Sequence, residues 1–479
     1  MCGILGIFGH EDISKDLIYG LISLQHRGQD AAGAIVFNEN FRIKKGLGLV
    51  NEVFNEKNLA RLKGPVGIGH VRYATQGNLA NQDSQPFAVN YPYGLAMAHN
   101  GNVVNFRKIR DYLHDEKHRI LNTSNDLELL LYTFAAEMED NDLKNLCVND
   151  IFEVVRATQE RIVGAYSTIT YIADKGFLAF KDPYGIRPLV MGKKDTDKGP
   201  VYAFASESTC FDYLGFETMH ELEPGEALFV DMKRNIHRRI CKQKKKAFCI
   251  FEYIYFAKED SIIHNHLVAS ERVRMGKSLA KKIKQKGLKP DIIIDVPSSA
   301  YFFASGLAEA LHVPYRRGLA KNNHVGRSFI KPEQKQREEL VSQKLNPIRE
   351  VIQGKKVAVV DDSIVRGTTS SHIVKLLRRS GAQEVYFVSA APPLKHPCVY
   401  GIDMSIKTEL IAGKRDIKEI EKIIGADALI YQSIEDLKKL YQDKQSCFAC
   451  FSGTYPTQIS QELLEEMENY RLCSKQKKN

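Results

Sequence analysis

Val357-Ala358-Val359-Val360-Asp361-Asp362-Ser363-Ile364-Val365-Arg366-Gly367-Thr368-Thr369-Ser370 is the most informative stretch of this chain. Its apolar run reads as a buried strand that delivers two adjacent acids to the carboxyl end, where open α/β sheets bind ligands. A Gly-Thr-Thr-Ser turn then opens a helix, whose free N–H groups and nearby hydroxyls suit a phosphate. No Gly-Lys-Ser/Thr ending follows, so this is not a Walker loop. The plainer alternative is an Asp-Asp N-cap region before an ordinary turn. Acids beside a phosphate cradle need a further reason, and ribose hydroxyls with Mg²⁺ supply one, since hard oxygen ligands suit that ion.

The surrounding rhythm agrees with a parallel sheet. From about residue 250 the pattern predicts a helix over Leu267–Gln285, stopped by Gly287 and Pro290, then an apolar strand at Ile292–Pro297. A helix near Phe303–Leu311, the strand Lys356–Asp361, a helix at Ser370–Arg379 and a strand at Glu384–Ala390 follow. Continuous Val/Ile runs alternating with amphipathic helices imply an α/β sheet covered on both faces. Lys321–Lys344 is long, polar and Gly/Pro-punctuated, the profile of a mobile loop. The first ~235 residues read differently. Short β-type runs at Gly33–Phe37, Val66–His70, Leu95–His99, Ser167–Ile172 and Gly176–Phe180 are broken by helical stretches near Asp126–Met138 and Asn149–Arg161. That mixture suggests a layered α+β domain.

Length and composition bound the rest. The chain has 479 residues, 43% hydrophobic and 26% charged, enough for about two to four domains with cores of their own. Neither a collagen-like nor a disordered chain has this composition. No window approaches ~18 uncharged apolar residues, and the glycine-broken N-terminus lacks a basic n-region, so neither a membrane span nor a signal peptide is expected. Nine scattered cysteines are no disulfide scaffold, and point to a reducing cytoplasm. The net charge of +10 gathers in Lys242, Lys244, Lys245 and Lys246 and in Lys475, Lys477 and Lys478. These read as a solvated linker and an end segment, and with no nucleic-acid motif present the excess charge points to small anionic substrates.

Cys2 follows Met1 directly. Once Met1 is removed, a thiol and a free α-amine share one residue; the amine titrates near ~7.7–8.0 and the thiol near ~8.5, so nucleophile and base come together. His26-Arg27-Gly28-Gln29-Asp30, Gly69-His70-Val71-Arg72-Tyr73-Ala74-Thr75, His99-Asn100-Gly101-Asn102 and Asn125-Asp126-Leu127-Glu128 follow in that order. With Cys2-Gly3-Ile4 they resemble the class II glutamine amidotransferases, which are N-terminal-nucleophile hydrolases of four-layer αββα fold. The resemblance implies that Cys2 is the nucleophile, that Asn100 and Gly101 form the oxyanion hole, and that Arg27, Arg72, Thr75 and Asp126 bind glutamine. A guanidinium and a carboxylate suit the α-carboxylate and α-ammonium of that substrate.

The stretch quoted first resembles the phosphoribosyl pyrophosphate loop of type I phosphoribosyltransferases. By that likeness Asp361 and Asp362 meet the ribose hydroxyls and Mg²⁺, with Ser299 near the metal, and Ser363, Arg366, Gly367, Thr368, Thr369 and Ser370 hold the 5′-phosphate. Lys321 and Arg327 are further substrate contacts. The pairing of both halves in one chain resembles the amidophosphoribosyltransferase family, and Lys181–Pro188, Phe251–Phe256 and Tyr400–Asp403 extend the likeness over nearly the whole chain. Asn323, His324 and Ser328 stand where the family usually has Arg, Tyr and Thr, and Ser298 where it has an acid. Other class II amidotransferases carry different synthase domains and lack this loop; a nucleotide sensor without activity is the reading from another class.

Four cysteines belong together. Cys447-Phe448-Ala449-Cys450 is a C-x-x-C, and Cys249 and Cys398 lie in the same half. Chemistry alone allows structural Zn²⁺ or an iron–sulfur site. One branch of the family carries a [4Fe–4S] cluster in these contexts, so the resemblance implies the cluster, with zinc as the alternative. Members of that branch often begin with a propeptide, which is not expected here. Cys147, Cys210, Cys241 and Cys473 read as packing or surface thiols.

The expectation is therefore a class II glutaminase domain over residues 2–238, a type I phosphoribosyltransferase domain over 249–440, and a C-terminal segment over 441–479. It implies a cytoplasmic enzyme making 5-phosphoribosylamine from glutamine and phosphoribosyl pyrophosphate. The family likeness adds purine nucleotides as feedback inhibitors and a homo-oligomer, dimer or tetramer, with no nucleic acid or membrane partner.

Overall fold

The computed structural model describes residues 1–73, 81–322, 345–402, 406–441 and 445–476. Residues up to Ile240 build two antiparallel sheets packed face to face. One has seven strands, in spatial order Glu217–Glu221, Val190–Thr196, Gly199–Ala205, Gly3–Phe8, Val66–Arg72, Ala31–Asn38 and Asn40–Leu47. The other has six: Ile236–Ile240, Glu226–Asp231, Gly176–Lys181, Gly164–Ile172, Leu95–Val103 and Phe87–Val89.

Side-chain alternation along each strand decides the layers. Ile4 and Phe8 point between the sheets, into a core with Ala98, Ile169 and Phe177. Leu5 and Ile7 point the other way, onto Leu17 and Leu21 of helix Ser14–Ser23. On the far side helices Asp126–Glu139 and Val148–Arg161 cover Leu95, Tyr166 and Phe180. The result is the four-layer αββα sandwich. Asn40–Leu47, not expected as a strand, has the sequence NFRIKKGL at a sheet edge. Its partly exposed polar face carries no apolar alternation to read.

The second half centres on a parallel sheet in the order Ile292–Asp295, Lys356–Asp361, Glu384–Ser389 and Ala428–Tyr431. Helices Val268–Gln285 and Tyr301–Leu311 bury Met275, Leu279, Ala304 and Leu307 against Ile293, Ala358 and Val360. Helices Thr368–Arg379 and Ile417–Ile424 bury Ile373, Leu377 and Ile420 against Ile294, Val357 and Val359 on the other face. Both faces are covered, which is why these strands read as unbroken apolar runs. Leu319–Lys321 pairs antiparallel with Leu345–Pro347. Residues 323–344, and with them Arg327, Asn323, His324 and Ser328, lie outside the described residues.

The lysine-rich connection is more ordered than a solvated linker. Lys244 N–H donates to Pro183 O at 2.8 Å and Ala247 N–H to Tyr184 O at 2.9 Å, so its backbone is tied along the first half. The C-terminal segment then clasps the junction: Phe248–Cys249 pairs in parallel with Ser446–Cys447. Val104, Ala165 and Ile186 of the first half share one core with Phe248, Tyr253 and Phe451. Among the described residues no helix is long and apolar enough to cross a membrane.

Candidate functional site

The first constellation gathers at one end of the sandwich. Cys2 precedes strand Gly3–Phe8 and is half-buried, its thiol 3.8 Å from the Tyr73 carbonyl. Met1 is buried, and burial pushes its α-amine down to about 5. The His26–Asp30 segment presses on the end of strand Val66–Arg72: a Cβ on Gly28 would stand 2.6 Å from the Val71 and Arg72 backbone. Arg72, at that strand end, is buried. Thr75 lies outside the described residues.

Arg27 was expected to bind substrate, and the structure gives its guanidinium other work. Nε donates to the Cys2 carbonyl at 2.9 Å, Nη1 pairs with Glu207, and Nη2 donates to both Glu252 oxygens at 3.0 and 3.1 Å. All three side chains are buried. Arg187 adds a second guanidinium, with Nη1 3.4 Å from Glu252 and Nε donating to Tyr400 O at 2.9 Å. Burial opposes the charge on Arg27, but Glu252 and Glu207 outweigh it and raise its pKa. Burial would also raise Glu207, and His26 with Arg27 holds it well below the usual carboxylate range. A paired buried network of this kind costs about 3–5 kcal/mol to break from one side. Glu207 had no signal in the sequence, since an isolated acid reveals no partner 180 residues away.

Asn100 and Gly101 lie in strand Leu95–Val103, which packs across the sandwich against Gly3–Phe8. The Asn100 side-chain amide is buried, and neither its nitrogen nor its oxygen has a partner among the described residues. A Cβ on Gly101 would fall 1.8 Å from the Ala165 carbonyl oxygen, so only glycine fits. Asp126 opens helix Asp126–Glu139, where the Asn125 side chain caps by accepting from Leu127 N–H. Asp126 Oδ2 accepts from Val103 N–H at 2.9 Å and faces His99 Nε2 at 3.3 Å. Burial would raise this carboxyl, yet the His99 contact and the Val103 N–H hold it below its ordinary value.

Gln85 completes that arrangement and was not foreseen. Its Oε1 accepts from His99 N–H at 2.9 Å and its Nε2 meets His99 Nδ1 at 2.8 Å. With the amide oxygen committed to a backbone donor, Nε2 donates to Nδ1, and the imidazole proton sits on Nε2, facing Asp126.

The second constellation sits at the carboxyl ends of the parallel strands. Asp361 and Asp362 end strand Lys356–Asp361 and are buried. Burial, then the charge of Asp362, raises Asp361 well above the usual range, and Asp295 adds to it. Burial also raises Asp362, against hydrogen bonds from the Ser299 and Ser363 hydroxyls, the latter at 2.7 Å. Asp295, the last residue of its strand, is thus a third acid of this site that sequence reading missed. The carboxylates are crowded, and the charge of Arg272 opposes the rise of Asp362 without cancelling it, which fits a hard divalent cation.

Gly367, at φ 78°, turns the chain into helix Thr368–Arg379, whose start has no side-chain cap. Thr368, Thr369 and Ser370 form its first turn, with N–H groups available to a phosphate. Arg366 leans on Glu409, its Nη2 2.5 Å away. Lys321 is exposed, with Nζ 3.4 Å from Ser298 Oγ.

The four expected cysteines converge. Cys249 and Cys447 sit opposite one another in the parallel pair, and the Cys450 carbonyl accepts from Lys395 and His396 N–H, both at 3.0 Å, just before Cys398. All four are buried and unbridged. Burial pushes Cys249 up to about 11, with Cys398 adding to the rise, and burial with the neighbouring thiols raises Cys450 well above its ordinary value. Buried thiols whose charged forms would repel one another suit a group that supplies positive charge. Among the described residues no three His, Cys, Asp or Glu side chains stand as a site for a single metal ion. Cys147 is exposed, Cys210 buried and Cys241 half-buried.

Known proteins resemble the chain end to end. Residues 70–213 match the glutamine amidotransferase domain and residues 267–404 the phosphoribosyl transferase domain. The amidophosphoribosyltransferase of Escherichia coli K12 is 44% identical over 483 residues, covering 98% of this chain and 96% of that one. The Schizosaccharomyces pombe protein of the same name is 41% identical over 499 residues, covering 99% and 94%. The glutamine phosphoribosylpyrophosphate amidotransferase of B. subtilis, solved with ADP and GMP, superposes with a TM-score of 0.84 at 39% identity, over 96% of this chain and 98% of that one.

Proposed function

The chain belongs to the amidophosphoribosyltransferase family, and from that premise we propose how its two sites divide the reaction. The activity is the glutamine-dependent conversion of phosphoribosyl pyrophosphate to 5-phosphoribosylamine, with glutamate and pyrophosphate as the other products. It is the first step of purine biosynthesis.

In the glutaminase half, removal of Met1 leaves Cys2 with a free α-amine, which takes the thiol proton. Sγ attacks the side-chain amide carbon of glutamine, and Asn100 Nδ2 and the Gly101 N–H donate to the oxyanion. The C–N bond breaks, the amine returns its proton to the leaving group, and ammonia departs from a Cys2 thioester. Water then releases glutamate and restores the thiol. Asp126 takes the substrate ammonium and Arg72 its carboxylate. Arg27 holds the Cys2 carbonyl in place, a positioning role supported by its buried pairing. Thr75 keeps the role its motif suggests.

In the transferase half, ammonia forms a bond to ribose C1 as the bond to pyrophosphate breaks, and a proton passes to water. Ser363 and Arg366 to Ser370 cradle the 5′-phosphate, and Asp361 and Asp362 hold the ribose hydroxyls. Lys321 and Arg327 are further substrate contacts. The same two acids with Ser299 would hold Mg²⁺, which when bound neutralises charge on the carboxylates and the departing pyrophosphate. Cys249, Cys398, Cys447 and Cys450 would hold a [4Fe–4S] cluster in a structural role, tying the C-terminal segment to the junction. Structural zinc is the alternative, and analysis of anaerobically purified protein separates them: about four irons with acid-labile sulfide, against one zinc and no sulfide. Purine nucleotides as feedback inhibitors are supported by the ADP and GMP bound to the B. subtilis relative. A homo-oligomer in the cytoplasm completes the reading.

The observation that carries the glutaminase assignment is the Asn100 amide, buried without a partner among the described residues, beside a glycine that admits no side chain. Cys2→Ala tests it. Synthesis from glutamine should fall to background while synthesis from ammonia persists; equal loss of both would sink the two-site reading.

A further inference from the structure

The oxyanion-hole strand has a back wall, and the other half of the protein builds it. Gly401, at φ 96°, lies against Gly101: a Cβ there would stand 2.7 Å from the Gly101 carbonyl oxygen and 3.0 Å from its carbon. One residue on, the buried Asn102 side chain donates from Nδ2 to the Val399 carbonyl at 2.8 Å. Between them, Tyr400 O accepts from Arg187 Nε at 2.9 Å. Arg187 is itself fixed to the ladder beside the site, because its carbonyl accepts from the Ser167 hydroxyl at 3.0 Å and Ser167 pairs with Asn100. A Cβ on Gly101 would itself stand 1.8 Å from Ala165 O. The backbone around the expected oxyanion N–H is therefore hemmed in by both halves of the protein, the transferase half supplying Val399 and Gly401.

We propose that Val399, Tyr400 and Gly401 are a positioning wall for the glutaminase oxyanion hole. They hold the Gly101 carbonyl and the Asn102 side chain, and so limit the rotation of the Gly101 backbone that sets the direction of its N–H. This rests on the reading of Cys2, Asn100 and Gly101 as the glutaminase centre. Its consequence is that the glutaminase half is chemically incomplete by itself. A hole that drifts by a few tenths of an ångström loses complementarity to the tetrahedral intermediate before it loses affinity for glutamine.

The full chain carrying Asn102→Ala, and separately Gly401→Ala, tests this. Two inhibitors are compared: the γ-aldehyde of glutamate, which adds the Cys2 thiol to give a tetrahedral hemithioacetal, and glutamate, which does not. In Asn102→Ala the glutamine-dependent kcat should fall roughly tenfold with KM and ammonia-dependent synthesis within about twofold. Inhibition by the aldehyde should weaken by the same factor as kcat, and inhibition by glutamate should not change. Gly401→Ala should show the same split, more strongly; should it not fold, Asn102→Ala decides. Equal weakening of both inhibitors, an unchanged kcat, or a parallel loss of ammonia-dependent synthesis would overturn the wall. A wild-type chain indifferent to the aldehyde would remove the glutaminase reading first, and the wall with it.

Discussion

The two sites are unbalanced in opposite senses. At the sandwich end a buried amide, Asn100, has no partner among the described residues, while Asp126 is held below its ordinary pKa by its neighbours. At the sheet end Asp361, Asp362 and Asp295 crowd together, and the Arg272 guanidinium offsets Asp362 only in part. The first site waits for negative charge that appears only during reaction, which is how an oxyanion hole works. The second waits for positive charge that arrives with the substrate. Each imbalance costs stability, and each should be removable by a substitution that deletes the unbalanced group.

The largest effect is expected where repulsion is greatest. Asp361→Asn with Asp362→Asn should reduce synthesis from glutamine and from ammonia alike, by roughly 10²–10³-fold or more. The same variant should be more stable without metal. A carboxyl raised in the fold contributes stability while protonated and loses it as pH rises towards its folded value, so the pair favours the fold less at neutral pH than in acid. An apparent Tm roughly 2–4 °C above wild type at pH 7, with the gap closing on adding Mg²⁺ and phosphoribosyl pyrophosphate, is the expected scan. A lower Tm at pH 7 in the absence of Mg²⁺ would break the contrast between the sites.

Asn100→Ala asks the same question of the other site. Glutamine-dependent kcat should fall about 10²–10³-fold with little change in KM, the pattern for a donor that acts only in the transition state. Because the amide makes no hydrogen bond with the described residues, its removal should leave thermal stability unchanged or higher. A large loss of stability would mean the amide is structural.

How much of this was legible beforehand follows from range. Lys356–Asp361 was read to the residue, because a strand buried on both faces writes its identity into every position. Asp126, Asn100 and the four cysteines were singled out by motif, and the structure buries all six. Asp295 ends a strand whose apolar run was recognised, yet its closeness to Asp361 depends on two neighbouring parallel strands ending together. Arg27 was assigned to substrate because nothing local shows that Glu207 and Glu252 fold onto it from about 180 and 225 residues away. Strand Ala428–Tyr431 was missed for its shortness; strand Asn40–Leu47 was missed because edge strands need no apolar face.

The smallest expected effect is the most specific to the Asp126 side of the first site. Its carboxyl is held below its ordinary value of 3.8, so its charge is present above that value and is lost only as pH falls through a still lower one. The KM for glutamine in the wild type should therefore drift less than about twofold between pH 8 and pH 5 on account of this group. Gln85→Leu removes the donor that assigns the His99 proton to Nε2 and leaves the imidazole free to turn away from Asp126. KM should then rise about fivefold, one neutral hydrogen bond's worth, with kcat nearly constant. Nitrogen shifts of the His99 ring would follow the tautomer directly. A Gln85→Leu protein with wild-type KM and an unchanged tautomer would show that the clasp on His99 is packing alone, and that Asp126 needs only the Val103 N–H to stay charged.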